Sequence, residues 1–179
     1  SNPDKLYEEP VNSFVAEFIG ETNTFSGEVI DISGGKCKVK LATGAEIISN
    51  PIKVKSKGEK TKVSLRPERA IIDPEEKMDN KHKGKIEEII YHGDHARVRL
   101  NLLGNKEFIL KVPNSSARMD IKRGNEISVG WNSNDARALD LKSIWDWFNQ
   151  ILLKIIDIFT KWEVDLNFVT CCNNNIKNV

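Results

Sequence analysis

The run Ser33-Gly34-Gly35 is the first part of the sequence whose residue types could contact a nucleotide. Glycines at the N-terminus of a helix can present backbone N–H groups to a phosphate. This run instead lies between two segments that alternate polar and apolar residues, so we predict a tight hairpin turn. The sequence also contains no Gly-x4-Gly-Lys-Ser/Thr phosphate-binding loop. We therefore predict no catalytic residues, and no nucleotide hydrolysis by this chain alone.

The histidines and cysteines offer little to a metal ion. His92 and His95 flank Gly93-Asp94, and two imidazoles with one carboxylate are few ligands for a metal in a single turn. We predict a solvated turn there and no metal site. The three cysteines, two of them adjacent near the C-terminus, make no disulfide framework, which favours a reducing compartment.

Five lysines between positions 53 and 62 form a basic run in which Glu59 is the only acid: Lys53, Lys55, Lys57, Lys60 and Lys62. The run could contact phosphates or a nucleic acid from a small barrel, or it could be a charged edge strand and loop that resists edge-to-edge pairing. We favour the second interpretation. Residues 22–140 contain only four aromatic side chains for base stacking, and the net charge of the chain is +1. We expect no nucleic-acid partner.

The composition divides the chain into two kinds of sequence. The first 140 residues contain all 11 glycines and all 6 prolines, and the remainder contains neither. Between 23 and 140, short segments alternate apolar and polar residues and are separated by turns, which is the pattern of half-buried strands. This pattern begins at Gly27 and again at Gly84. We therefore predict a mainly β fold with duplicated small OB-like barrel lobes at about 23–73 and 84–140.

Helical patterns flank the strands on both sides. Within Val11–Gly20, the apolar residues fit a short helix that packs on another surface and stops at Gly20. Residues 141–179 predict an amphipathic helix of about 20 residues followed by a disordered end. Its apolar stripe is the predicted packing face: Ile144, Phe148, Ile151, Ile155, Phe159 and Trp162.

We expect the stripe of the tail helix to be buried in a dimer or against a barrel lobe, because an exposed stripe would invite association. Two alternatives stay open, namely a helix in the membrane interface and an extension that is lineage-specific or foreign to the natural protein. Acidic and basic residues within the helix argue against a transmembrane span.

Two strings of residues resemble a known family. The pattern Tyr-x-x-Pro-x-Asn-x-Phe-Val-Ala-x-Phe-Ile-Gly, present from Tyr7 to Gly20, is similar to the stretch that leaves the ATPase domain in ATP-binding subunits of bacterial ABC importers. The string Val63–Glu68 is similar to the Arg-Pro-Glu motif of the accessory domain that follows in those subunits. Glu21-Thr22-Asn23 is most similar to the spermidine/putrescine importers.

The resemblance implies a transport-associated OB (TOBE) domain of two intertwined barrel lobes. Residues 1–22 would be the linker from an ATPase domain that is absent here, and the domain would pair with its copy in the ATPase dimer and tune transport without a catalytic role. Implied partners are a second ATPase subunit and transmembrane permease subunits, at the cytoplasmic face of the cell membrane. ATP and Mg²⁺ would be cofactors of the full-length subunit, with none expected in this chain. The helical tail has no equivalent in the family.

Six residues are the expected contacts with the ATPase domain or between lobes: Phe14, Val15, Phe18, Ile19, Arg66 and Glu68. Two other functions stay open at this point. One is an OB-type nucleic-acid-binding module that uses the lysine run. The other is a sensor that binds a small ligand, either a polyamine or an oxyanion, between the lobes.

Overall fold

The computed structural model describes residues 7, 10, 12–113, 121–141 and 152–155. The chain divides into two compact units, Ser1–Leu141 and Lys142–Val179. In the described part of the first unit, the short helix α1 (Ser13–Ile19) precedes ten strands: β1 (Asn23–Ser33), β2 (Lys36–Leu41), β3 (Glu46–Pro51), β4 (Lys60–Leu65), β5 (Ile71–Ile72), β6 (Asn80–Tyr91), β7 (His95–Leu102), β8 (Asn105–Pro113), β9 (Glu126–Trp131) and β10 (Ala136–Leu139). Two single 3₁₀ turns, corner 1 (Pro67–Arg69) and corner 2 (Ser133–Asp135), follow β4 and β9.

The strands form two barrel-like lobes of five strands each. The first lobe is a closed barrel in the order β1-β2-β3-β10-β4, and the second is a sheet in the order β5-β9-β6-β7-β8. Both place the same kinds of elements in the same order along the chain, which confirms the predicted duplication and the mainly β fold class. Even the irregularities recur, because β1 has a bulge between Val29 and Asp31 and β6 has one between Ile86 and Glu88. A bulge bends a strand, as closing a small sheet into a barrel requires.

The two lobes exchange their last strands. β5 leaves corner 1 and pairs with β9 of the second lobe, while β10 leaves corner 2 and pairs with β4 and β3 of the first. β10 lies in the range 84–140 that the sequence assigns to the second lobe, yet it closes the first barrel. The chain must therefore fold both copies before either lobe is complete.

Apolar residues at alternate positions of the strands form one continuous core. Trp131, Phe108 and Phe25 pack at its centre, with ring centroids 5.7 to 6.3 Å apart. β7 shows the predicted period-2 pattern without interruption, since every second residue from Ala96 to Leu102 is buried. These side chains account for the apolar half of each alternating segment.

Most local predictions for the first unit agree with the structure. Ser33 ends β1 and Lys36 begins β2, and the two glycines between them have φ angles of 57° and 73°, so the Ser-Gly-Gly run is a hairpin turn. α1 lies within the predicted segment, and Gly20 follows its last residue, Ile19, as the predicted stop.

Two details of the sequence interpretation are wrong. β6 begins at Asn80 and not at Gly84, because the polar residues before the glycine pair with β9 up to Trp131. The lysine run does not contain an edge strand, since β4 pairs with β1 on one side and β10 on the other. In a closed barrel, the outward-facing residues of each strand are polar. A hydrophobicity pattern therefore does not show where a polar strand begins, or that it is paired on both sides.

The second unit is described only at residues 152–155, which are helical and exposed, with Ile155 42% accessible. The other members of the predicted packing face lie outside the described residues: Ile144, Phe148, Ile151, Phe159 and Trp162. Burial of that face in a dimer or against a lobe stays a prediction.

Candidate functional site

The short helix α1 is held to the barrel at its first turn. The side chain of Asn12 caps the helix by accepting from the backbone N–H of Val15, at 2.8 Å. Ser13 donates both its backbone N–H and its hydroxyl to Asp140 Oδ1, at 3.1 and 3.3 Å. A carboxylate is favourable at this end of a helix because the first N–H groups have no partner within the helix.

Arg66 holds the other end of α1. Its guanidinium Nη1 donates to the carbonyls of Ala16, Gly20 and Glu21 at 3.1 to 3.2 Å, and Nη2 donates to the carbonyl of Tyr7 at 3.1 Å. The last carbonyls of a helix lack partners in the helix, and a cation is favourable beside them. Arg66 therefore fastens the segment that carries α1 to the end of β4.

The position of Arg66 follows from the proline after it. Pro67 has no N–H for a ladder, so β4 ends at Leu65 and the chain turns into corner 1. Arg66 is 6% exposed, and its guanidinium carbon lies 4.2 Å from the centre of the Tyr7 ring. The Tyr7 hydroxyl in turn donates to Glu68 Oε1 at 2.9 Å. Arg66 and Glu68 thus both contact the N-terminal segment of the same chain.

Glu21 ties the same segment to the second lobe. Its Oε1 accepts from Nε and Nη2 of Arg97 at 3.0 and 2.7 Å, and its Oε2 lies 3.6 Å from Lys111 Nζ. Partial burial works to raise the pKa of Glu21, but the hydrogen bonds and charge of Arg97, helped by Lys111, outweigh it and leave this pKa below the usual value. The carboxylate is consequently ionised at neutral pH, and its backbone and side chain join Arg66 to β7 and β8.

The apolar residues of α1 do not all face the barrel. Val15 and Ile19 are half-buried, whereas the Phe18 side chain is 78% exposed. Its ring stacks on Phe14 at a centroid distance of 5.6 Å. On the polar side of the helix, Glu17 pairs with Lys62 at 2.7 Å. The helix therefore presents the Phe18 ring outward, stacked on the half-buried Phe14, while its ends are fixed.

Two asparagines that the sequence interpretation passed over join the lobes reciprocally. Asn23, at the start of β1, accepts from the Ile109 N–H at 2.7 Å and donates to the Ile109 carbonyl at 2.8 Å. Asn80, at the start of β6, makes the same pair of bonds with Ile48, at 2.7 and 2.9 Å. A signal was present, because each asparagine stands four residues before the first glycine of its copy.

A small cavity lies between the two corners. It encloses about 200 Å³ and is lined by Pro10, Ser64, Arg66, Arg69, Asn134, Asp135 and Arg137. Among the described residues, three arginines and one aspartate thus belong to its lining. Corner 1 contributes Arg69 and corner 2 contributes Asn134 and Asp135.

Other candidates from the sequence show no such convergence. His92 and His95 stack at 4.9 Å in the exposed β6–β7 turn, and His95 Nδ1 lies 2.7 Å from Asp94. Among the described residues, no three His, Cys, Asp or Glu side chains are placed to hold a metal ion. The helices in that same part of the chain include none with the length and apolar character needed to cross a membrane.

The aromatic residues argue against a nucleic-acid interface of the OB type. Phe25, Phe108 and Trp131 are at most 4% exposed, so they belong to the core and cannot stack on bases. Only Tyr91 of the four aromatics between 22 and 140 is exposed, and it lies in β6, away in sequence from the lysine run.

Comparison with known proteins agrees with the resemblance that the sequence indicates. Residues 63–139 match the family model described as the TOBE domain. The chain is 29% identical over 146 residues to the spermidine/putrescine import ATP-binding protein PotA of Trichodesmium erythraeum, covering 77% of this chain and 38% of the relative. Identity to the PotA protein of Thermotoga maritima is 32% over 148 residues, covering 78% and 40%. The chain thus spans about two fifths of the length of these curated relatives.

A solved structure supports the fold. The cytoplasmic molybdate-binding protein ModG, with molybdate bound, matches with a TM-score of 0.56 and 17% identity, over 64% of this chain and 92% of that chain. At this identity the likeness concerns the fold alone.

Proposed function

Because this chain contains a TOBE domain, we propose that it is the regulatory and dimerisation domain of the ATP-binding subunit of an ABC importer. The observation that carries the proposal is the attachment of α1, whose two ends are fixed by Asp140 and Arg66. α1 lies in the segment that resembles the exit from the ATPase domain. A domain that tunes an ATPase needs such a mechanical connection to it.

The N-terminal segment that carries α1 is joined to both lobes by a small number of hydrogen bonds. Arg66 joins the carbonyls of the N-terminal segment to β4 of the first lobe, and Glu21 joins the same segment to Arg97 in the second. Paired domains of two subunits would hold the ATPase dimer together while its nucleotide faces open and close. A displacement of α1 would then move both lobes as one body, because the joints are hydrogen-bonded and partly buried.

The exposed ring of Phe18, which stacks on the half-buried Phe14, supplies the surface for the ATPase domain. An exposed aromatic ring on a fixed helix is typical of an interface that another part of the protein covers. A second copy of the subunit and the transmembrane permease subunits are the further partners, which places the protein at the cytoplasmic face of the cell membrane. ATP and Mg²⁺ would bind in the ATPase domain of such a subunit, since this chain has no phosphate-binding loop.

Polyamines are the proposed cargo of the importer. The relatives that support this are named as spermidine/putrescine import proteins, and Glu21-Thr22-Asn23 resembles that group.

The proposal is tested by Arg66→Ala in the full-length subunit, with Arg99→Ala as a matched control. Arg99 is half-buried on β7, and its guanidinium donates to the carboxylates of Glu88 and Glu107. Removal of Arg66 frees four carbonyls of the N-terminal segment, so we expect spermidine uptake in membrane vesicles to fall several-fold while ATP affinity stays unchanged. Uptake equal to that of Arg99→Ala would contradict the regulatory role.

A further inference from the structure

The second lobe is not closed in the way that the first one is. In the first lobe, β10 pairs with both β4 and β3 and completes a barrel. In the second lobe, β5 pairs with β9, but no ladder joins β5 to β8 in the described part of the chain. The groove between these two edges, here called the seam, has a volume of about 310 Å³. Its lining comes from corner 1, the segment around β5 and the end of β8: Glu68, Ala70, Ile71, Ile72, Lys111, Val112 and Pro113.

The duplication shows which hydrogen-bond donor is missing at the seam. Ile48 and Ile109 are equivalent, because each bonds both of its backbone groups to an asparagine of the other copy. Four residues after Ile48, the N–H of Ile52 donates to the Ala138 carbonyl of β10 at 3.0 Å. The residue four positions after Ile109 is Pro113, which has no N–H. The second lobe therefore lacks this donor at the place where the first lobe uses it.

The β5 edge directs backbone groups into the seam. Ile72 is the equivalent of Ala138, since each stands three residues after its corner. Asp73, the next residue, donates its N–H to the Ser128 carbonyl of β9 at 2.7 Å. Neighbouring residues of an antiparallel strand direct their backbone groups to opposite sides, so the N–H and carbonyl of Ile72 face away from β9.

The β8 edge does the same from the other side. Ile109 bonds its backbone groups to Asn23 and not to β7. Lys111 stands two residues later in the same strand, so its N–H and carbonyl also face away from β7. The Ile72 N–H and the Lys111 carbonyl are thus placed on the two edges as a donor and an acceptor for closure.

The N-terminal segment is attached on both sides of the seam. The Tyr7 hydroxyl donates to Glu68 Oε1 in corner 1, directly before β5, at 2.9 Å. Glu21 Oε2 lies 3.6 Å from Lys111 Nζ in β8. Between these points, Arg66 fixes the carbonyls of Tyr7 and Glu21. A movement of the segment is therefore transmitted to both edges.

We propose that the second lobe has an open and a closed state, and that the N-terminal segment favours the open state by holding the two edges of the seam apart. In the closed state, the Ile72 N–H bonds the Lys111 carbonyl in a parallel ladder, as β10 and β3 pair in the first lobe. The segment selects the open state because it contacts Glu68 and Lys111 at their open-state positions. The two lobes still move as one body, because the change is confined to the seam within the second lobe.

Hydrogen exchange of the 179-residue chain, followed residue by residue by NMR, tests the two states. Relative to its intrinsic rate, the Ile72 amide should exchange at least about tenfold faster than the equivalent Ala138 amide. Pro113→Ile restores the N–H that Ile52 has in the first lobe, and it should slow the exchange of Ile72 at least about tenfold. Lys106→Ile adds the same side chain to an exposed position of β8 outside the seam, so it is the matched control and should change nothing.

The role of the N-terminal segment is tested in the Pro113→Ile background. Glu21→Gln removes the charge that holds Lys111, so the exchange of Ile72 should become slower still. Glu46→Gln removes a carboxylate that pairs with Lys38 in the first lobe, and as the control it should leave this rate unchanged. If Glu21→Gln does not fold, as its amide spectrum would show, Tyr7→Phe releases the other edge and decides the question.

Equal protection of Ile72 and Ala138 in the unmodified chain would overturn the two states, and so would exchange that Pro113→Ile leaves unchanged. Unchanged exchange after release of either edge would overturn the role of the N-terminal segment. The effect on the ATPase domain rests on the proposed regulatory function, and there Pro113→Ile should alter the ATPase rate of the full-length subunit while Lys106→Ile does not. If Arg66→Ala impairs uptake but Pro113→Ile behaves as Lys106→Ile does, the regulatory function stands and the part of the seam in it is refuted.

Discussion

Replacement of Asn23 by alanine tests the reciprocal joint between the lobes. The side chain is 2% exposed, and its amide satisfies both the N–H and the carbonyl of Ile109, which is itself 9% exposed. Alanine would leave two buried backbone groups without partners, and each such group costs about 1–3 kcal/mol. The free energy of unfolding should therefore fall by about 3 kcal/mol. With a urea m-value of about 2 kcal/mol/M, this lowers the unfolding midpoint by about 1.5 M.

The assay is urea unfolding followed by circular dichroism, with two further variants. Asn101→Ala removes the same amide from the half-buried outer face of β7, where we expect a change within about 0.5 kcal/mol. Asn23→Asp keeps the shape but turns an oxygen toward the Ile109 carbonyl, so it should be at least as unstable as Asn23→Ala at neutral pH. A midpoint for Asn23→Ala equal to that of Asn101→Ala would refute the argument, since the buried amide would then contribute nothing.

Two further predictions concern single positions in the β unit. Gly27→Ala should destabilise the chain by about 1–3 kcal/mol in the same urea assay, because a Cβ there would lie 2.6 Å from the backbone oxygen of Lys40; Gly93→Ala, in open space, is the control. Hydrogen bonds from Ser133 and Lys36 hold the pKa of Asp79 far below its usual value. The stabilisation by Asp79 is therefore complete above the unfolded-state pKa of about 3.9 and is lost as pH falls toward the lower folded-state pKa. The urea midpoints of Asp79→Asn and the unmodified chain should accordingly differ at pH 7 and converge at acid pH, and a constant difference would contradict the assignment.

The repeat and the strands could be predicted from the sequence because they depend on local patterns. Alternation of polar and apolar residues reports which face of a strand is buried, and glycine pairs report hairpin turns. Those signals account for the alternating burial of β7 and for the Ser-Gly-Gly turn.

The strand exchange could not be predicted in the same way. β5 and β10 have only two and four residues, so periodicity within them carries almost no information. The strands with which β5 and β10 pair depend on the direction of the chain as it leaves corners 1 and 2. The contacts of Arg66 could not be predicted either, because their acceptors are backbone carbonyls of residues 45 to 59 positions away. Every residue type has a backbone carbonyl, so the sequence does not mark which one an arginine will bind. Arg-Pro-Glu identified an important corner by resemblance without revealing what its arginine binds.

The duplication shows where the two copies have diverged. Corner 1 and corner 2 occupy equivalent places, since each follows the fourth strand of its copy and packs against the third strand of the other copy. The position before corner 1 is Arg66, which is buried and holds α1, whereas the position before corner 2 is Asn132, which is exposed. A difference required only for folding would be needed in both copies, because both make the same strand exchange. The arginine is therefore explained by what lies beside the first copy alone, namely the N-terminal segment and the cavity lined by Arg69 and Arg137.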